Sequence, residues 1–360
     1  MTTPALIVGG GPAGAATAIG LARAGLAHLL VERSRDTGDA LCGGFLSWRT
    51  LDRLAALGIE ADALNRDRLT TVRLFAGNRT ATAALPRPAL AVSRRRLDTL
   101  LLARALAVGA SVERGVTVRT IEGTQARTAD GATLSADTMF LASGKHDVRG
   151  LARPAQARGS DPTLGLRLRL PPSAALTKLL AGAIELHLFP GGYAGLCLQE
   201  DGAANLCMAV HRSRLDLAGS PTALIARLGE ELPALGERLG LADLGVPIDA
   251  IANVPYGWRA DTAPPGIVRL GDQAGVIPSL AGEGMGIAIA SGMAASHAYA
   301  AGGAAAMTRW QPRFARRLAR PLTVAGLVRR VAESRVAAPA LLAARPSLID
   351  ALARLTRVGG

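Results

Sequence analysis

The chain has 360 residues, a formal net charge of +13 and a hydrophobic content of 49%. This length suits two lobes better than one small domain, and no apolar run reaches the ~18 uninterrupted residues that a membrane span needs. The aromatic content of 3% leaves few surfaces on which bases could stack, so the positive charge does not indicate a nucleic-acid-binding protein. Three cysteines without CxxC spacing and five scattered histidines give no sign of a metal site. Redox chemistry would therefore need an organic cofactor.

The N-terminal residues have the pattern of a strand, a glycine-rich turn, a helix and a second strand. The apolar run Ala5–Val8 predicts a buried strand, and the alanine-rich segment Ala15–Ala24 predicts a helix that ends at Gly25. A second run, His28–Val31, predicts the next strand and leads directly into Glu32. These elements form a βαβ half-unit, whose crossover is expected to be right-handed.

The glycine-rich turn in this unit fits a dinucleotide. Gly9 permits the tight turn, Gly11 lets a pyrophosphate approach the backbone, and Gly14 lets the helix pack closely on the strand. The helix N-terminus supplies amide donors for the phosphates, and Glu32 can accept hydrogen bonds from ribose hydroxyls. The residues predicted to bind the cofactor here are Gly9, Gly11, Pro12, Ala13, Gly14, Glu32 and Arg33.

The middle of the chain leaves this nucleotide fold and returns to it. Strands are predicted at residues 72–75 and 81–85, and they lead away from the first unit. A helix at residues 93–108 and a buried strand at residues 139–142 resume the unit. The N-terminal half-unit, this helix and this strand therefore belong to one discontinuous domain.

A second lobe is predicted from about residue 152 to residue 255. Its sequence alternates with a period of two at residues 183–189, 194–198 and 204–210, which predicts antiparallel strands. One helix, at residues 221–239, interrupts them. His187 alternates with its leucine neighbours and is expected to have a structural or surface role.

A second glycine-rich segment near residue 280 favours FAD over NAD. The apolar strand Ile267–Leu270 ends in Gly271 and Asp272, and an acid in that place can hold a ribityl or ribose hydroxyl. The loop that follows opens a helix of small residues, whose N-terminus can stabilise negative charge on a reduced flavin. The residues predicted to bind FAD here are Gly271, Asp272, Gly282, Gly284, Met285 and Gly286.

The C-terminal segment is strongly basic. Residues 308–360 contain eleven arginines and two acidic residues, which is +9 of the total +13. Trp310, Phe314, Leu318 and Leu322 recur every four residues with arginines between them, which predicts an amphipathic helix. Two interpretations stay open: the apolar face packs on the core while the arginines face water, or the helix contacts a lipid surface.

Three of these motifs resemble a known group of flavoproteins, which includes aromatic-ring hydroxylases, geranylgeranyl reductases and flavin halogenases. The motifs are Gly9–Gly14 with Glu32, Ser93–Asp98, and Gly271–Gly286, and the similarity extends to about residue 300. The resemblance implies FAD as cofactor and a contact between the cofactor and Arg94. It also implies that NAD(P)H or a reductase partner supplies the electrons.

The resemblance nominates residues around the flavin and the substrate. Residues 41–47 are similar to the Cys-Gly-rich stretch of geranylgeranyl reductases, which lies beside the flavin, although Cys42 could equally be a packed apolar side chain. Residues 189–193 resemble a Phe-Pro segment near the substrate, where Tyr193 either binds a substrate oxygen or is a sheet-edge aromatic. The candidate catalytic residues are Cys42, Gly43, Gly44 and Glu283, and the candidate substrate residues are Phe189 and Tyr193.

Departures from the group's motifs favour a reductase. Hydroxylases commonly have a histidine after the Gly-Asp pair, whereas this chain has Gln273, Ala274 and Gly275 there. The Asp-Gly motif linked to NAD(P)H is replaced by residues 142–149, and there is no Trp-x-Trp motif of the kind found in halogenases. The geranylgeranyl reductases are therefore the better analogy.

The predicted fold is a two-lobe α/β protein. It has a Rossmann-like FAD-binding domain of the GR2 type, an inserted antiparallel β-sheet substrate domain and a C-terminal helical segment. The FAD-binding domain is predicted to take residues 1–75, 93–150 and 256–303, the substrate domain residues 76–92 and 151–255, and the basic helices residues 304–360.

The predicted function is FAD-dependent oxidoreduction of a small apolar molecule, isoprenoid-like or polyketide-like. The leading interpretation is hydride transfer at a carbon–carbon bond, as in geranylgeranyl reductases. The alternatives are a monooxygenase (hydroxylase or epoxidase) that uses a flavin hydroperoxide, and an FAD-binding protein without catalysis. Because no secretory signal is recognisable, we expect a cytoplasmic protein; peripheral membrane contact through the basic helices is a further hypothesis.

Overall fold

The computed structural model of the chain describes residues 2–336 and residue 355. In that part the strands are, in chain order, β1 Thr2–Val8, β2 Leu29–Glu32, β3 Phe45–Leu46, β4 Leu69–Ala76, β5 Arg79–Ala91, β6 Val112–Arg114, β7 Val118–Glu122, β8 Gln125–Thr128, β9 Thr133–Leu141, β10 Thr163–Leu170, β11 Ala183–Phe189, β12 Gly192–Leu198, β13 Ala204–His211, β14 Ile248–Val254 and β15 Ile267–Arg269. The helices are α1 Pro12–Arg23, α2 Trp48–Leu57, α3 Ala61–Leu64, α4 Arg94–Ala107, α5 Ala174–Leu180, α6 Arg212–Ala218, α7 Pro221–Glu231, α8 Pro233–Gly240 and α9 Gly284–Ala332.

The first sheet is the predicted nucleotide fold. Its order is β6-β2-β1-β9-β8-β7, and β15 pairs with the C-terminal end of β9. The strands β6, β2, β1, β9 and β15 are parallel, which places their C-terminal ends at one edge. Ligands in open parallel sheets bind at that edge, so the glycine-rich turn after β1 and the Gly271–Asp272 pair after β15 face the same side.

Helices α1 and α9 pack against each other on this sheet. The approach is close because small residues meet: a Cβ atom on Gly292 of α9 would lie 2.4 Å from the carbonyl oxygen of Ala13. A Cβ atom on Gly20 would lie 2.1 Å from Oγ of Ser296. The close packing brings the N-termini of the two helices to the same edge of the sheet.

The second sheet has eight strands in the order β14-β10-β13-β12-β11-β4-β5-β3. It is antiparallel except for β11 and β4, which are parallel. Strand β4 begins at Leu69 and pairs with β5 and β11, so the chain enters this sheet at Leu69 and not at residue 76 as predicted. The reason is that Leu69 and Val72 bury apolar side chains against this sheet, whereas the prediction assigned the strand by its position in the sequence.

A second core lies on the outer face of this sheet, beneath the helices α5, α7 and α8. Leu168, Leu206 and Phe189 from the sheet pack there with Leu228 and Leu235 from the helices. The single helix predicted at residues 221–239 is two helices, because Pro233 has no amide hydrogen and begins a new helix after Leu232.

The helix α9 has a break at Gly302 and Gly303, which separates a nucleotide-domain part from a C-terminal part. In the C-terminal part the predicted apolar face is buried, with Trp310, Phe314, Leu318 and Leu322 between 0% and 7% exposed. The arginines between them, such as Arg313, Arg316, Arg317 and Arg320, are exposed.

The packing of this apolar face supports the first of the two interpretations of the basic helix, and membrane contact stays a prediction. The rest of the predicted basic region, residues 337–354 and 356–360, lies outside the described residues. Within the described part of the chain, no helix combines the length and the hydropathy of a membrane span.

Candidate functional site

One cavity of about 1230 Å³ lies between the two sheets. It is lined by the glycine turn after β1, the loop after β2, the start of α4, the loop after β9, the Gly271–Asp272 pair and the inner face of the second sheet. Typical small-molecule pockets measure ~300–1,000 Å³, so this cavity has room for a dinucleotide and a second molecule.

The turn after β1 leaves no space for side chains beneath it. Gly9 has a φ of +108°, and a Cβ atom on it would lie 2.6 Å from the carbonyl oxygen of Ala142. A Cβ atom on Gly14 would lie 1.9 Å from the carbonyl oxygen of Gly9. A Cβ atom on Gly11 would meet only the guanidinium of Arg94, at 3.4 Å. The first two glycines therefore shape the turn, and Gly11 keeps its outer surface open toward the cavity.

The carboxylate of Glu32 closes one side of this turn. It accepts a hydrogen bond from the amide of Gly10 at 2.7 Å and one from the amide of Ser34 at 2.9 Å. Each oxygen keeps a lone pair for a ribose hydroxyl, since a carboxylate offers about four acceptor positions. The neighbouring Arg33 lies 3.1 Å from Nε2 of His146 across the cavity edge.

Arg94 brings a fixed positive charge to the turn. Its guanidinium donates two hydrogen bonds to the carboxylate of Asp98, at 3.0 and 2.7 Å, which fixes its plane. Burial opposes the charged form, but Asp98 more than offsets this and raises the pKa of Arg94, which stays cationic. A planar cation beside an open glycine is suited to a phosphate oxygen.

Asp272 is paired with one of the two lysines in the chain. Nζ of Lys145 lies 3.0 Å from Oδ2 of Asp272, and this contact raises the pKa of Lys145 to about 12. The loop that carries Lys145 is held in place by Arg153 and Gln273, which donate to its backbone carbonyls. Gln273 therefore ties two loops of the cavity together.

The Cys-Gly stretch lies on the cavity wall. Cys42 is half-buried there, and its Sγ atom lies 3.5 Å from the amide of Gly44. Gly44 has a φ of +76°, and a Cβ atom on it would clash with Gln199 and with the carbonyl of Val92. A Cβ atom on Gly43 would meet nothing within 4 Å, so this residue presents bare backbone to the cavity.

Glu283 does not face the cavity, which argues against its nomination as a catalytic residue. Its side chain is fully buried, and Oε1 accepts a hydrogen bond from Ser47 at 2.6 Å. Ser47 is also the N-cap of α2, because its side chain accepts from the amide of Thr50. Glu283 thus joins the start of α9 to the start of α2, and it positions the loop that carries Gly282 and Gly284.

Some of the other residues of this loop line the cavity, and one lies behind the cavity wall and supports it. Gly282, Gly284 and Met285 line the cavity. Gly286 lies behind them, where a Cβ atom would be 2.7 Å from Oγ1 of Thr50. Gly14 has the same supporting place under the first turn.

Phe189 also points away from the cavity, which corrects its nomination as a substrate residue. It is 2% exposed and packs in the outer core of the second sheet. The alternation of β11 explains this, since Leu186 and Leu188 line the cavity and Phe189 must share the opposite face with His187. His187 is buried there and stacks on Phe75 with the ring centroids 4.6 Å apart. Its role is structural, as expected.

Tyr193 lies on the cavity wall together with residues that the sequence did not nominate. Its hydroxyl contacts Ser279, which also contacts the hydroxyl of Tyr256. From the C-terminal part of α9, Val328 and Ala332 also reach the cavity. The near absence of lysine could have drawn attention to Lys145, but no local pattern marks Tyr256 or Ser279.

These residues fit FAD. The turn after β1 has space only for bare backbone, the N-terminus of α1 faces it, and Arg94 adds a cation beside Gly11. Glu32 and Asp272 supply acceptors for hydroxyl groups at the two ends. Of the residues predicted to bind FAD, those that line the cavity are Gly9, Gly11, Pro12, Ala13, Glu32, Arg33, Arg94, Gly271, Asp272, Gly282, Gly284 and Met285.

Residues 2–149 match the family of FAD binding domains. This match supports FAD as the cofactor of the chain. None of the curated proteins matches this flavoprotein by sequence. Solved structures share its fold over almost its whole length.

A flavoprotein/dehydrogenase from Cytophaga hutchinsonii superposes on this flavoprotein with a TM-score of 0.79 at 16% identity, over 99% of this chain and 92% of that one. A geranylgeranyl bacteriochlorophyll reductase-like protein from Thermoplasma acidophilum gives 0.75 at 19% identity, over 99% and 94%. PqsL, a probable FAD-dependent monooxygenase from Pseudomonas aeruginosa, gives 0.73 at 17% identity, over 96% and 100%. At these identities the similarity shows the shared fold.

Replacing Arg94 with methionine is expected to weaken FAD binding by about ten- to hundredfold, because a hydrogen bond to a charged group contributes ~1.5–3 kcal/mol. The FAD affinity of Arg94→Lys is expected to lie between those of the wild type and Arg94→Met, since lysine keeps the charge and loses the planar fork. The dissociation constant can be measured by the quenching of FAD fluorescence. Arg95→Met is the matched control, because Arg95 is the next residue and is exposed. Equal affinities for the two methionine variants would contradict the assignment.

Proposed function

We propose that this flavoprotein transfers hydride between FAD and a carbon–carbon bond of a small, apolar, isoprenoid-like or polyketide-like molecule. The observation that supports this most directly is the apolar part of the cavity, which is continuous with the nucleotide site. Its wall includes Val72, Leu74, Ile184, Leu186, Leu188 and Ile251. An apolar molecule bound there gains the hydrophobic free energy of burial, and it is held beside the cofactor site.

The chain's own residues divide the work. The turn after β1, Arg94 and Asp272 hold the cofactor, which when bound supplies a two-electron carrier. The bare backbone at Gly43 lets a flat group approach closely. Val328 and Ala332 from α9 cover the apolar part of the cavity, which excludes water from the reaction.

Hydride transfer to one carbon requires a proton on the other. Cys42 offers a thiol on the cavity wall, and Tyr256 offers a hydroxyl further along the same wall. The reductase interpretation is also supported by Gly275, a glycine at the position where hydroxylases commonly have the histidine. NAD(P)H or a reductase partner as the electron source is part of the proposal.

An oxygen-admission experiment tests the proposed function. The FAD-loaded protein is photoreduced without oxygen, mixed with oxygen, and followed by absorbance together with the release of hydrogen peroxide. We expect one rapid phase of reoxidation, peroxide equal to the flavin present, and no oxygenated product from farnesol or geranylgeraniol. Mixed without oxygen, the corresponding aldehydes, farnesal and geranylgeranial, are expected to reoxidise the flavin and to gain two hydrogens. A long-lived second spectral species, or a product that has gained oxygen, would overturn the proposal in favour of a monooxygenase.

A further inference from the structure

Three hydroxyl groups meet on the wall of the apolar part of the cavity. The hydroxyls of Tyr193, on β12, and of Tyr256, after β14, both contact Oγ of Ser279, on the loop before α9. All three residues line the cavity. The chain has only three tyrosines, so two of the three meet at one serine. We call this group the hydroxyl cluster.

The cluster has more hydroxyl protons than its internal hydrogen bonds require. Three hydroxyl groups carry three protons, and each of the two contacts consumes one. One O–H group is therefore left over, whichever residue donates to which. No other acceptor among residues 2–336 takes this proton, since the hydrogen bonds of the three hydroxyls are confined to the cluster. The spare donor borders the cavity whichever residue carries it, because all three residues line the cavity.

The surroundings keep this donor protonated and oriented. Burial raises the pKa of Tyr193 and of Tyr256, so both phenols keep their protons at neutral pH. The ring of Tyr256 is held by the guanidinium of Arg329, which lies 4.6 Å from the ring centroid. The ammonium of Lys145 is close enough to act on the Tyr256 hydroxyl electrostatically. A donor with a cation nearby favours a partner oxygen that carries negative charge.

The rest of the wall around the cluster is apolar. Leu186, Leu188 and Leu280 adjoin it, in one packed group with Tyr193. An unsatisfied polar group costs free energy in such a setting, so the spare O–H discriminates between ligands with and without an acceptor oxygen. The cluster is therefore suited to select ligands that carry an acceptor oxygen, rather than to stabilise the core.

We propose that the hydroxyl cluster binds the carbonyl oxygen of the substrate and that the substrate is an apolar α,β-unsaturated carbonyl compound. This inference rests on the proposed hydride transfer and names the kind of carbon–carbon bond that is reduced. An isolated double bond has no site to receive the charge that arrives with a hydride. A conjugated carbonyl does, and the spare donor on the cavity wall is available to its oxygen.

The chemistry balances with these groups. Bound in its reduced form, FAD would supply a hydride with its electron pair to the β-carbon, so that the carbon–carbon double bond would be reduced and the cofactor oxidised. The π electrons move to the carbonyl oxygen, whose negative charge the spare O–H and the nearby Lys145 stabilise. The thiol of Cys42 on the cavity wall then gives a proton to the α-carbon, and the carbonyl group is restored; solvent reprotonates the sulfur once the product has left.

A matched pair of ligands tests the binding half of the proposal without any turnover. Tetralin and 1-tetralone have the same two-ring skeleton and differ by one carbonyl group. We expect calorimetry on the FAD-loaded protein to give about tenfold tighter binding for 1-tetralone, the effect of one well-placed hydrogen bond. In the triple variant Tyr193→Phe, Ser279→Ala and Tyr256→Phe, which removes every O–H group of the cluster, the ratio should fall to about one, while the affinity for tetralin stays unchanged and shows that the cavity is intact.

The third tyrosine supplies the control. Tyr299 donates to the carbonyl of Pro4 in the FAD domain and does not line the cavity, so Tyr299→Phe should keep the ratio of the wild type. A ratio near one in the wild type would overturn the proposal. So would a tenfold ratio that survives in the triple variant.

Turnover tests the other half. Photoreduced protein is mixed without oxygen with 1-acetylcyclohexene or with 1-vinylcyclohexene, which lacks the carbonyl. We expect only the first to gain two hydrogens and reoxidise the flavin, with a lower kcat in the triple variant. Equal reduction of both compounds would overturn the role of the carbonyl while leaving the proposed function intact. Reduction of neither, despite a tenfold binding ratio, would overturn hydride transfer itself.

Discussion

Gly14→Ala is expected to weaken FAD binding by at least about a hundredfold and to destabilise the FAD domain by ~1–3 kcal/mol, the usual cost of overpacking. The added Cβ atom would lie 1.9 Å from the carbonyl oxygen of Gly9 and 3.2 Å from Cγ2 of Ile7. Neither atom can yield easily, because one belongs to the backbone of the turn and the other to the core of β1. The N-terminus of α1 must therefore move away from the turn that it completes.

A variant of a second glycine, Gly11, distinguishes weaker FAD binding from destabilisation of the fold. A Cβ atom on Gly11 would meet only the guanidinium of Arg94, at 3.4 Å, so Gly11→Ala should leave the free energy of unfolding unchanged and still weaken FAD binding. Gly240→Ala, on α8, is the control for both, since nothing lies within 4 Å of its Cβ position. FAD titration and urea unfolding give the two quantities. Wild-type FAD affinity in Gly14→Ala would refute the assignment of the turn.

The N-terminal half-unit could be predicted almost residue by residue because its signals are local. The apolar runs, the glycines and the acid at the end of the second strand all lie within one short segment, and β1, α1 and β2 follow them. The same holds for the strands of the second lobe, where Ala183–Phe189 is β11 as predicted. Period and turn chemistry are properties of neighbouring residues, so the sequence alone reveals them.

Contacts between distant segments could not be predicted in this way. Lys145 and Asp272 are 127 residues apart, and Tyr193 and Ser279 are 86 residues apart. Which of these side chains meet depends on where the sheets place their strand ends, and no single motif records it. The resemblance was enough to predict the cofactor site, whereas the hydroxyl cluster is formed only by the packing of distant segments and could not be predicted.

The two misassigned site residues have different causes. Glu283 was nominated for its place in the glycine loop, but the start of α2 supplies Ser47 as a buried partner that turns the carboxylate inward. Phe189 could have been assigned correctly from the sequence, because it shares its parity with His187 and not with Leu188. A motif taken from a resemblance outweighed an alternation that was already visible.

Glu185→Gln is expected to destabilise the protein by ~3–5 kcal/mol, because it breaks a buried ion pair and leaves the partner charge uncompensated. Glu185 is fully buried on the outer face of the second sheet. Arg238 of α8 donates to both of its oxygens, at 2.9 and 3.0 Å, and Arg73 of β4 donates to one of them at 3.1 Å. Nε2 of His187 lies 3.4 Å away on the same strand.

A double variant tests whether the destabilisation comes from the unpaired charge. Glu185→Leu combined with Arg238→Met removes both buried charges and should be markedly more stable than Glu185→Gln, since apolar replacement of a buried pair is often neutral. Urea unfolding measures both variants. A double variant that is less stable than Glu185→Gln would show that the pair itself, and not the stranded arginine, carries the stability.

The same cluster predicts how stability depends on pH. Burial opposes the charged form of Glu185, but His187 and Arg238 outweigh it and lower the pKa from 4.5 to about 2. Because the folded-state pKa is depressed, the stabilisation is complete above about pH 4.5 and is lost as the pH falls toward 2. Below pH 4.5 the stability advantage of the wild type over Glu185→Gln should shrink by about 1.4 kcal/mol per pH unit. Glu237→Gln, which removes the exposed partner of Arg238, should keep the wild-type slope. An advantage over Glu185→Gln that stays constant from pH 5 to pH 3 would mean that the carboxylate of Glu185 does not titrate with unfolding in this range.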